Sequence, residues 1–78
     1  MNKARRKAIS EIEDNLSELQ AQIEELLGQE NEAADNMPES LQYSDPVVAM
    51  REAAEQLEYA SNAITEAIDY LSEAKGEG

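Results

Sequence analysis

The sequence predicts an all-α fold, an antiparallel helical hairpin that assembles into a helical bundle by oligomerisation. Apolar residues recur in steps of three and four along most of the chain, which is the spacing of an amphipathic helix. Both prolines fall in one short segment, DNMPESLQYSDP, residues 35 to 46 of only 78. Two long helices joined by a short bend form a hairpin. We therefore expect a single domain over residues 1–78, with helices at about 2–36 and about 46–75 and a bend at about 37–45.

The first helix carries a heptad pattern of glutamates on its solvated side and of apolar residues on the other. The apolar seam consists of Ile9, Ile12, Leu16, Leu19, Ile23 and Leu26. Gly28 and Glu30 weaken this pattern, so a break near Gly28 stays open. Pro38 ends the helix, because the residue before a proline is pushed out of the α region.

The second helix begins near Ser44, where Ser44 or Asp45 suits the N-cap and Pro46 suits the first turn. Lys75 and two glycines, Gly76 and Gly78, mark its end. Large residues alternate with alanine in its seam, and alanine allows a partner backbone to approach closely. The seam consists of Met50, Ala53, Leu57, Ala60, Ile64, Ala67, Leu71 and Ala74.

Apolar residues on both flanks make this second face wider than a two-helix contact needs, which indicates more than one neighbour. A chain of this size without cysteine also lacks a disulfide that could stabilise a small core. We therefore expect a homo-oligomer, most simply a dimer that forms a four-helix bundle, with larger symmetric assemblies as the alternative. The predicted oligomer interface is Met50, Ala53, Leu57, Ala60, Ile64, Ala67 and Leu71.

The composition excludes most enzyme chemistry. Histidine and cysteine are absent, so the usual zinc ligands, the commonest general base and the thiol nucleophile are missing. The sequence also lacks the spacing of a calcium-binding loop and of a glycine-rich phosphate loop. We expect a non-enzymatic protein without a metal or cofactor. No apolar run reaches membrane-spanning length and none follows the basic N-terminus, which predicts a cytoplasmic protein without membrane contact.

The charge of −12 is unevenly distributed. Four of the six basic residues lie in Lys3–Lys7 (KARRK), the basic head, and the acidic remainder disfavours binding of duplex nucleic acid. Cations at a helix N-terminus oppose the macrodipole, so local stability does not explain them. Exposed salt bridges to Glu73 and Glu77, or a disordered tip, are two simple interpretations. The functional interpretation is an anion site, in which Arg5 and Arg6 of several copies bind a phosphate-bearing ligand.

The bend is longer than a tight helical turn requires, and its polar side chains suit either turn chemistry or recognition. If two hairpins pack head to tail, the bend of one copy lies near the basic head of the other. The predicted ligand-binding residues therefore come from both segments: Arg5, Arg6, Lys7, Asn36, Gln42 and Tyr43.

The order of these segments resembles a group of short acidic helical-hairpin proteins found in phages and prophages of Gram-positive bacteria. The resemblance covers essentially the whole chain: MNKARRK, an acidic heptad helix, DNMPESLQ and a second amphipathic helix. Its most specific element is the N-x-P-E-x-L-Q bend, Asn36 to Gln42. The resemblance implies a setting in the cytoplasm of a bacterial host cell and an accessory or counter-defence role, and it implies no particular mechanism.

Three functions are compatible with these features. In the first, an oligomer sequesters an anionic, nucleotide-like host signal at the basic head and bend. In the second, the acidic surface binds and inhibits a host defence protein or a nucleic-acid-binding protein. In the third, the chain is a structural coiled-coil module. The clustered cations favour the first.

Overall fold

The computed structural model describes residues 1–76, and it confirms an all-α hairpin of two helices packed against each other. Helix α1 spans Lys3–Asp35, a single turn of 3-10 helix spans Glu39–Leu41, and helix α2 spans Asp45–Lys75. Within residues 1–76 there is no strand. Glu77, expected beside the basic head, and Gly78, expected at the end of the second helix, lie outside the described residues.

Local chemistry sets the ends of α1. The side chain of Asn2 caps the helix by accepting a hydrogen bond from the backbone N–H of Arg5 at 2.8 Å. The helix runs without a break through Gly28, and it ends at Asp35, with Asn36 as its C-cap, two residues before Pro38. The basic head is therefore an ordered part of α1.

The ends of α2 follow the same logic. Ser44 is its N-cap residue, although its hydroxyl turns back and donates to the carbonyl oxygen of Leu41 at 2.6 Å. Pro46 lies in the first turn, where a missing N–H costs nothing. Gly76 ends the helix with a φ of 67°, a backbone conformation that favours glycine.

Polar contacts at three levels fix the antiparallel register of the hairpin. Near the head, Lys75 forms an ion pair with Glu13 and donates to Ser10. Midway, the side-chain amide of Gln20 donates to the carbonyl oxygen of Ser61 at 2.8 Å. Near the bend, Arg51 of α2 contacts Asp35 of α1 at 3.2 Å.

The contact between the helices uses only half of the predicted seams. The first heptad position is half-buried in both helices, as at Leu16 and Leu57. The second predicted position of α1 lies outside this contact, because Ile12, Leu19 and Leu26 are 46%, 50% and 51% exposed in the single hairpin. The helices instead close on the neighbouring position, four residues after the first. These residues are Glu13, Gln20, Leu27 and Ala34 in α1, and Val47, Ala54, Ser61, Ile68 and Lys75 in α2.

The predicted interface of α2 divides in the same way. Met50, Leu57, Ile64 and Leu71 are half-buried in the contact with α1. Among the predicted alanines, Ala53 is exposed, whereas Ala60 and Ala67 are half-buried. The cause is the width of the apolar band. A single partner helix covers a narrow stripe, and the polar contacts of Gln20 and Lys75 decide which half of the band it covers.

The resulting core is small. The buried hydrophobic residues among those described are Ala34, Val47 and Ala54. The hairpin exposes 5783 Å², whereas a compact monomer of 8.6 kDa exposes about 4,700 Å². The excess surface is that of a rod with extents of 59 × 15 × 14 Å.

Candidate functional site

The basic head contains most of the cations that the hairpin leaves without an acidic partner. Lys3, Arg5 and Lys7 are exposed and form no ion pair within residues 1–76, while Arg6 is half-buried. The two basic residues elsewhere behave differently, since Arg51 pairs with Asp35 and Lys75 pairs with Glu13. Lys3, Arg5 and Lys7 therefore concentrate positive charge that the described part of the chain does not neutralise.

The bend uses Gln42 as an internal brace. Its side-chain N–H donates to the carbonyl oxygens of Ala34 at 3.0 Å and Met37 at 2.8 Å. Its side-chain oxygen accepts a hydrogen bond from Arg51 at 2.8 Å. Both ends of the amide are thus engaged within the protein. The structure differs here from the sequence prediction, which assigned Gln42 to a ligand.

The other predicted bend residues face solvent. Tyr43 is 95% exposed, so almost its whole ring is available for contact. The side chain of Asn36 is also exposed, and only its backbone N–H takes part in the C-cap, where it donates to the carbonyl oxygens of Ala34 and Glu32. These two side chains remain available to a ligand or a partner.

The head and the bend lie at opposite ends of the rod. Helix α1, which separates them, has 33 residues and a length of about 50 Å at 1.5 Å per residue. The predicted composite site of Arg5, Arg6, Lys7, Asn36 and Tyr43 is therefore not assembled within one hairpin. Only a second copy could bring the two ends together.

One strip of the hairpin surface carries no charged residue. It contains the exposed half of the apolar band, and Leu26 of α1 and Ala53 of α2 line one groove of about 430 Å³ there, a groove that Glu30 also lines. The seven-residue spacing extends it along both helices. We call it the uncharged face; it comprises Ala8, Ile12, Asn15, Leu19, Gln22, Leu26, Gln29, Ala33, Asn36, Ala49, Ala53, Gln56, Ala60, Ala63, Ala67, Tyr70 and Ala74.

The rest of the outer surface, the charged face, is acidic and begins directly beside the uncharged face, because Glu11 lies three residues from Ala8 and four from Asn15 on the same helix. A ridge of exposed glutamates follows α1 at seven-residue spacing: Glu11, Glu18, Glu25 and Glu32. On α2 the Tyr59 hydroxyl donates to the Glu55 carboxylate at 2.6 Å. That hydrogen bond and the carboxylate charge raise the pKa of Tyr59 above its ordinary value. Both residues line a shallow groove of about 410 Å³ with Asn31 and Arg51.

A polar cluster between the helices was not predicted. The amide of Gln20 also donates to the hydroxyls of Ser61 at 3.2 Å and Thr65 at 2.7 Å, and the Ser61 hydroxyl donates to Glu24 at 3.1 Å. Ser61 is 6% exposed. The sequence feature that could have revealed this cluster is the heptad position of Ser61, which is also the position of Ala54 and Ile68. The contacts pin the register, because a shifted hairpin would bury these groups without partners.

Within the described residues no group of three acidic side chains converges in a way that could hold a metal ion, and neither α1 nor α2 is long and apolar enough to cross a membrane. No protein-family model, curated protein sequence or solved structure matches the chain.

Proposed function

We propose that the chain is a non-enzymatic binding protein that acts as an oligomer and sequesters a phosphate-bearing, nucleotide-like ligand at its basic head. The observation that carries the proposal is the contrast among the cations. Arg51 and Lys75 are paired with carboxylates, whereas Lys3, Arg5 and Lys7 are exposed without an ion pair in the described part of the chain.

Phosphate suits such a head. Arg5 can make two parallel hydrogen bonds to phosphate oxygens, and charge-assisted bonds of this kind are roughly twice as strong as neutral ones. The backbone N–H of Arg5 is already bonded to Asn2, so the side chains rather than the helix end supply the donors. The acidic remainder repels a long duplex, which favours a small anion.

The bend of a second copy would complete the site. The exposed ring of Tyr43 offers a stacking surface for a nucleobase, a contact worth about 1–3 kcal/mol in single-stranded nucleic-acid sites. The amide of Asn36 can bond to a base edge. Gln42 has no part in this proposal, because its amide braces the bend.

The resemblance to phage hairpin proteins supplies the biological setting of the proposal. The ligand would be a nucleotide signal of the bacterial host, and the protein would lower its free concentration without converting it. This is a counter-defence role that requires tight binding and no catalytic group.

Calorimetric titration with pyrophosphate, ATP and a panel of dinucleotides tests the proposal. We expect at least one ligand to bind, and its affinity to fall at least tenfold in the double variant Arg5→Gln, Lys7→Gln. The control is Glu18→Gln, Glu25→Gln, which changes two exposed charges outside the head without removing a contact between the helices and should retain binding. Absence of binding to every probe, or an equal loss in both variants, would contradict the proposal.

A second candidate is a protein-binding inhibitor, and the glutamate ridge of the charged face favours it. Such a ridge attracts a basic surface on another protein. Neutralising Glu18 and Glu25 to glutamine should then abolish capture of a host-cell protein that the head variant still captures. The reverse pattern would exclude the ridge as the working surface.

A further inference from the structure

We propose that the uncharged face is the interface with a second copy of this chain, packed antiparallel so that the basic head of each copy lies beside the bend of the other. The inference goes beyond anion binding and does not depend on it. It rests on composition, on exposed apolar surface, on size and on charge.

The composition of the face is that of an interface rather than of a solvated surface. Charged residues make up 31% of the chain, yet none occurs on this face between Ala8 and Ala74. Depletion of charge is the compositional mark of the buried centre of protein interfaces. The solvated alternative already exists on the charged face, where the glutamates of the same helices lie.

The apolar surface on this face is also larger than scattered exposure would give. Ile12, Leu19 and Leu26 follow one line along α1, each about half exposed. The alanines of the parallel line along α2 are exposed at Ala53 and Ala74 and half-buried at Ala60 and Ala67. Contiguous exposed apolar surface of this kind marks interaction sites in soluble proteins.

The size of the face fits a stable dimer. The hairpin is 59 Å long and 15 Å broad, so a copy that covers most of it buries on the order of 800 Å² per protomer, the area of a standard interface. This area is smaller than the excess of about 1,100 Å² that the hairpin exposes relative to a compact protein of its mass.

Side-chain size alone allows two twofold arrangements, and charge distinguishes them. If the two heads lie together, the cations of Lys3–Lys7 repel their counterparts. If the copies are antiparallel, each head approaches the acidic end of its partner, which includes Asp35, Glu39 and Asp45. Charge complementarity of this kind fixes orientation at interfaces.

The antiparallel arrangement also places each helix against the same helix of the second copy. The uncharged face of α1 runs from Ala8 to Asn36, so its midpoint lies at Gln22. A twofold axis at that level sets α1 against α1 of the partner and α2 against α2 of the partner. The leucines then meet leucines, and the alanine-rich faces of α2 approach each other closely. Ala8 of one copy lies level with Asn36 of the other.

Cysteine crosslinking reads this orientation directly, because the chain has no cysteine of its own. Equal amounts of Ala8→Cys and Asn36→Cys are mixed, unfolded, refolded and treated with a bismaleimide whose spacer is about one helix diameter, roughly 10 Å. We expect mass spectrometry to show the mixed crosslink between the two variants well above either homodimer. Both substituted side chains are exposed, and circular dichroism checks that the helices persist.

The control pair is Asp14→Cys and Asn31→Cys, two positions that would also lie nearly level in an antiparallel dimer but point away from the uncharged face, so little crosslinking is expected. A predominance of the two homodimers over the mixed product would overturn the antiparallel orientation. Equal crosslinking from the charged face would overturn the assignment of the interface. A folded monomer in sedimentation equilibrium at micromolar concentration would overturn the dimer itself.

Discussion

The uncharged face and the charged face belong to the same two helices and are exposed to a similar degree in one hairpin, yet they differ completely in composition. The charged face carries the glutamate ridge, whereas the uncharged face carries leucine, isoleucine, alanine and amides. A solvated helix surface has no physical reason to exclude charged residues. They increase solubility, and opposite charges four residues apart stabilise the helix. The difference indicates that the uncharged face, which is exposed in a single hairpin, is covered in the functional protein.

A third surface, the seam between α1 and α2, lies between these two faces. It contains the three buried hydrophobic residues of the described chain, but also Glu13, Gln20, Ser61 and Lys75. Its polar contacts align the helices while its apolar contacts hold them together. The seam is therefore more polar than an ordinary core, and the uncharged face is more apolar than an ordinary surface.

The largest expected effect comes from placing the same aspartate on the seam or on the uncharged face. Leu57→Asp introduces a carboxylate between the helices, where desolvation costs a few kcal/mol, a large part of the stability of so small a domain. We expect it to lose helicity at micromolar concentration. Leu19→Asp introduces the charge on the uncharged face, so we expect the hairpin to remain helical and to stop self-associating.

Circular dichroism and sedimentation equilibrium separate these outcomes. In the parent protein the melting temperature should also rise with concentration, as it does for a dimer, and this dependence should vanish in Leu19→Asp. Unfolding of both variants to the same extent would contradict the distinction between the seam and the uncharged face. A fully dimeric Leu19→Asp would contradict burial of the uncharged face.

The next effect concerns close approach at alanine. Ala53 is exposed within one hairpin and lines the groove beside Leu26, so Ala53→Leu has room in a monomer. Against a second copy it overpacks the contact, at a cost of about 1–3 kcal/mol, which corresponds to a rise in the dimer dissociation constant of roughly 10- to 100-fold. Asn62→Leu, an exposed position on the charged face, is the control. Equal dimer dissociation constants in both variants would show that Ala53 faces solvent in the dimer and lies outside the interface.

A smaller effect distinguishes the two neighbouring residues of the bend. Gln42→Ala removes three hydrogen bonds and leaves the carbonyl oxygens of Ala34 and Met37 without this donor, so we expect a loss of about 1–2 kcal/mol. Tyr43→Ala removes an exposed ring and should change stability by less than about 0.5 kcal/mol. Urea denaturation measures both. The opposite order of stabilities would mean that Tyr43, rather than Gln42, holds the bend.

The bend also shows what the sequence could and could not predict. Pro38, the N-cap at Ser44 and the glycine at position 76 act through local backbone chemistry, which can be read without knowing the partner helix. The direction of the Gln42 amide depends on where the carbonyl oxygens of the bend point, and that is set by the folded backbone. Nothing in the residue type distinguishes an amide that braces the chain from one that awaits a ligand.

The seam was half predictable for a related reason. Heptad spacing identifies the apolar band, and it found Leu16 and Leu57 correctly. It cannot tell which edge of a wide band faces the partner within the same chain, because both edges repeat every seven residues. Polar residues decided this choice, and Gln20 and Ser61 looked like surface residues in the sequence. The basic head was visible as a cluster, but the finding that Lys3, Arg5 and Lys7 form no ion pair within residues 1–76 required the positions of the carboxylates.

The smallest expected effect lies on the charged face, at the hydrogen bond from Tyr59 to Glu55. This bond and the charge of Glu55 raise the folded-state pKa of Tyr59 above its ordinary value of 10.0. The folded protein then holds a proton that the unfolded chain releases, so the contribution to stability is complete below pH 10.0 and is lost as the pH rises through the folded-state pKa. Tyrosinate absorbance in a Tyr43→Phe, Tyr70→Phe background follows Tyr59 alone. We expect Glu55→Gln to lower its pKa, and an unchanged titration would mean that solvent screens this contact completely, as it does for many exposed pairs.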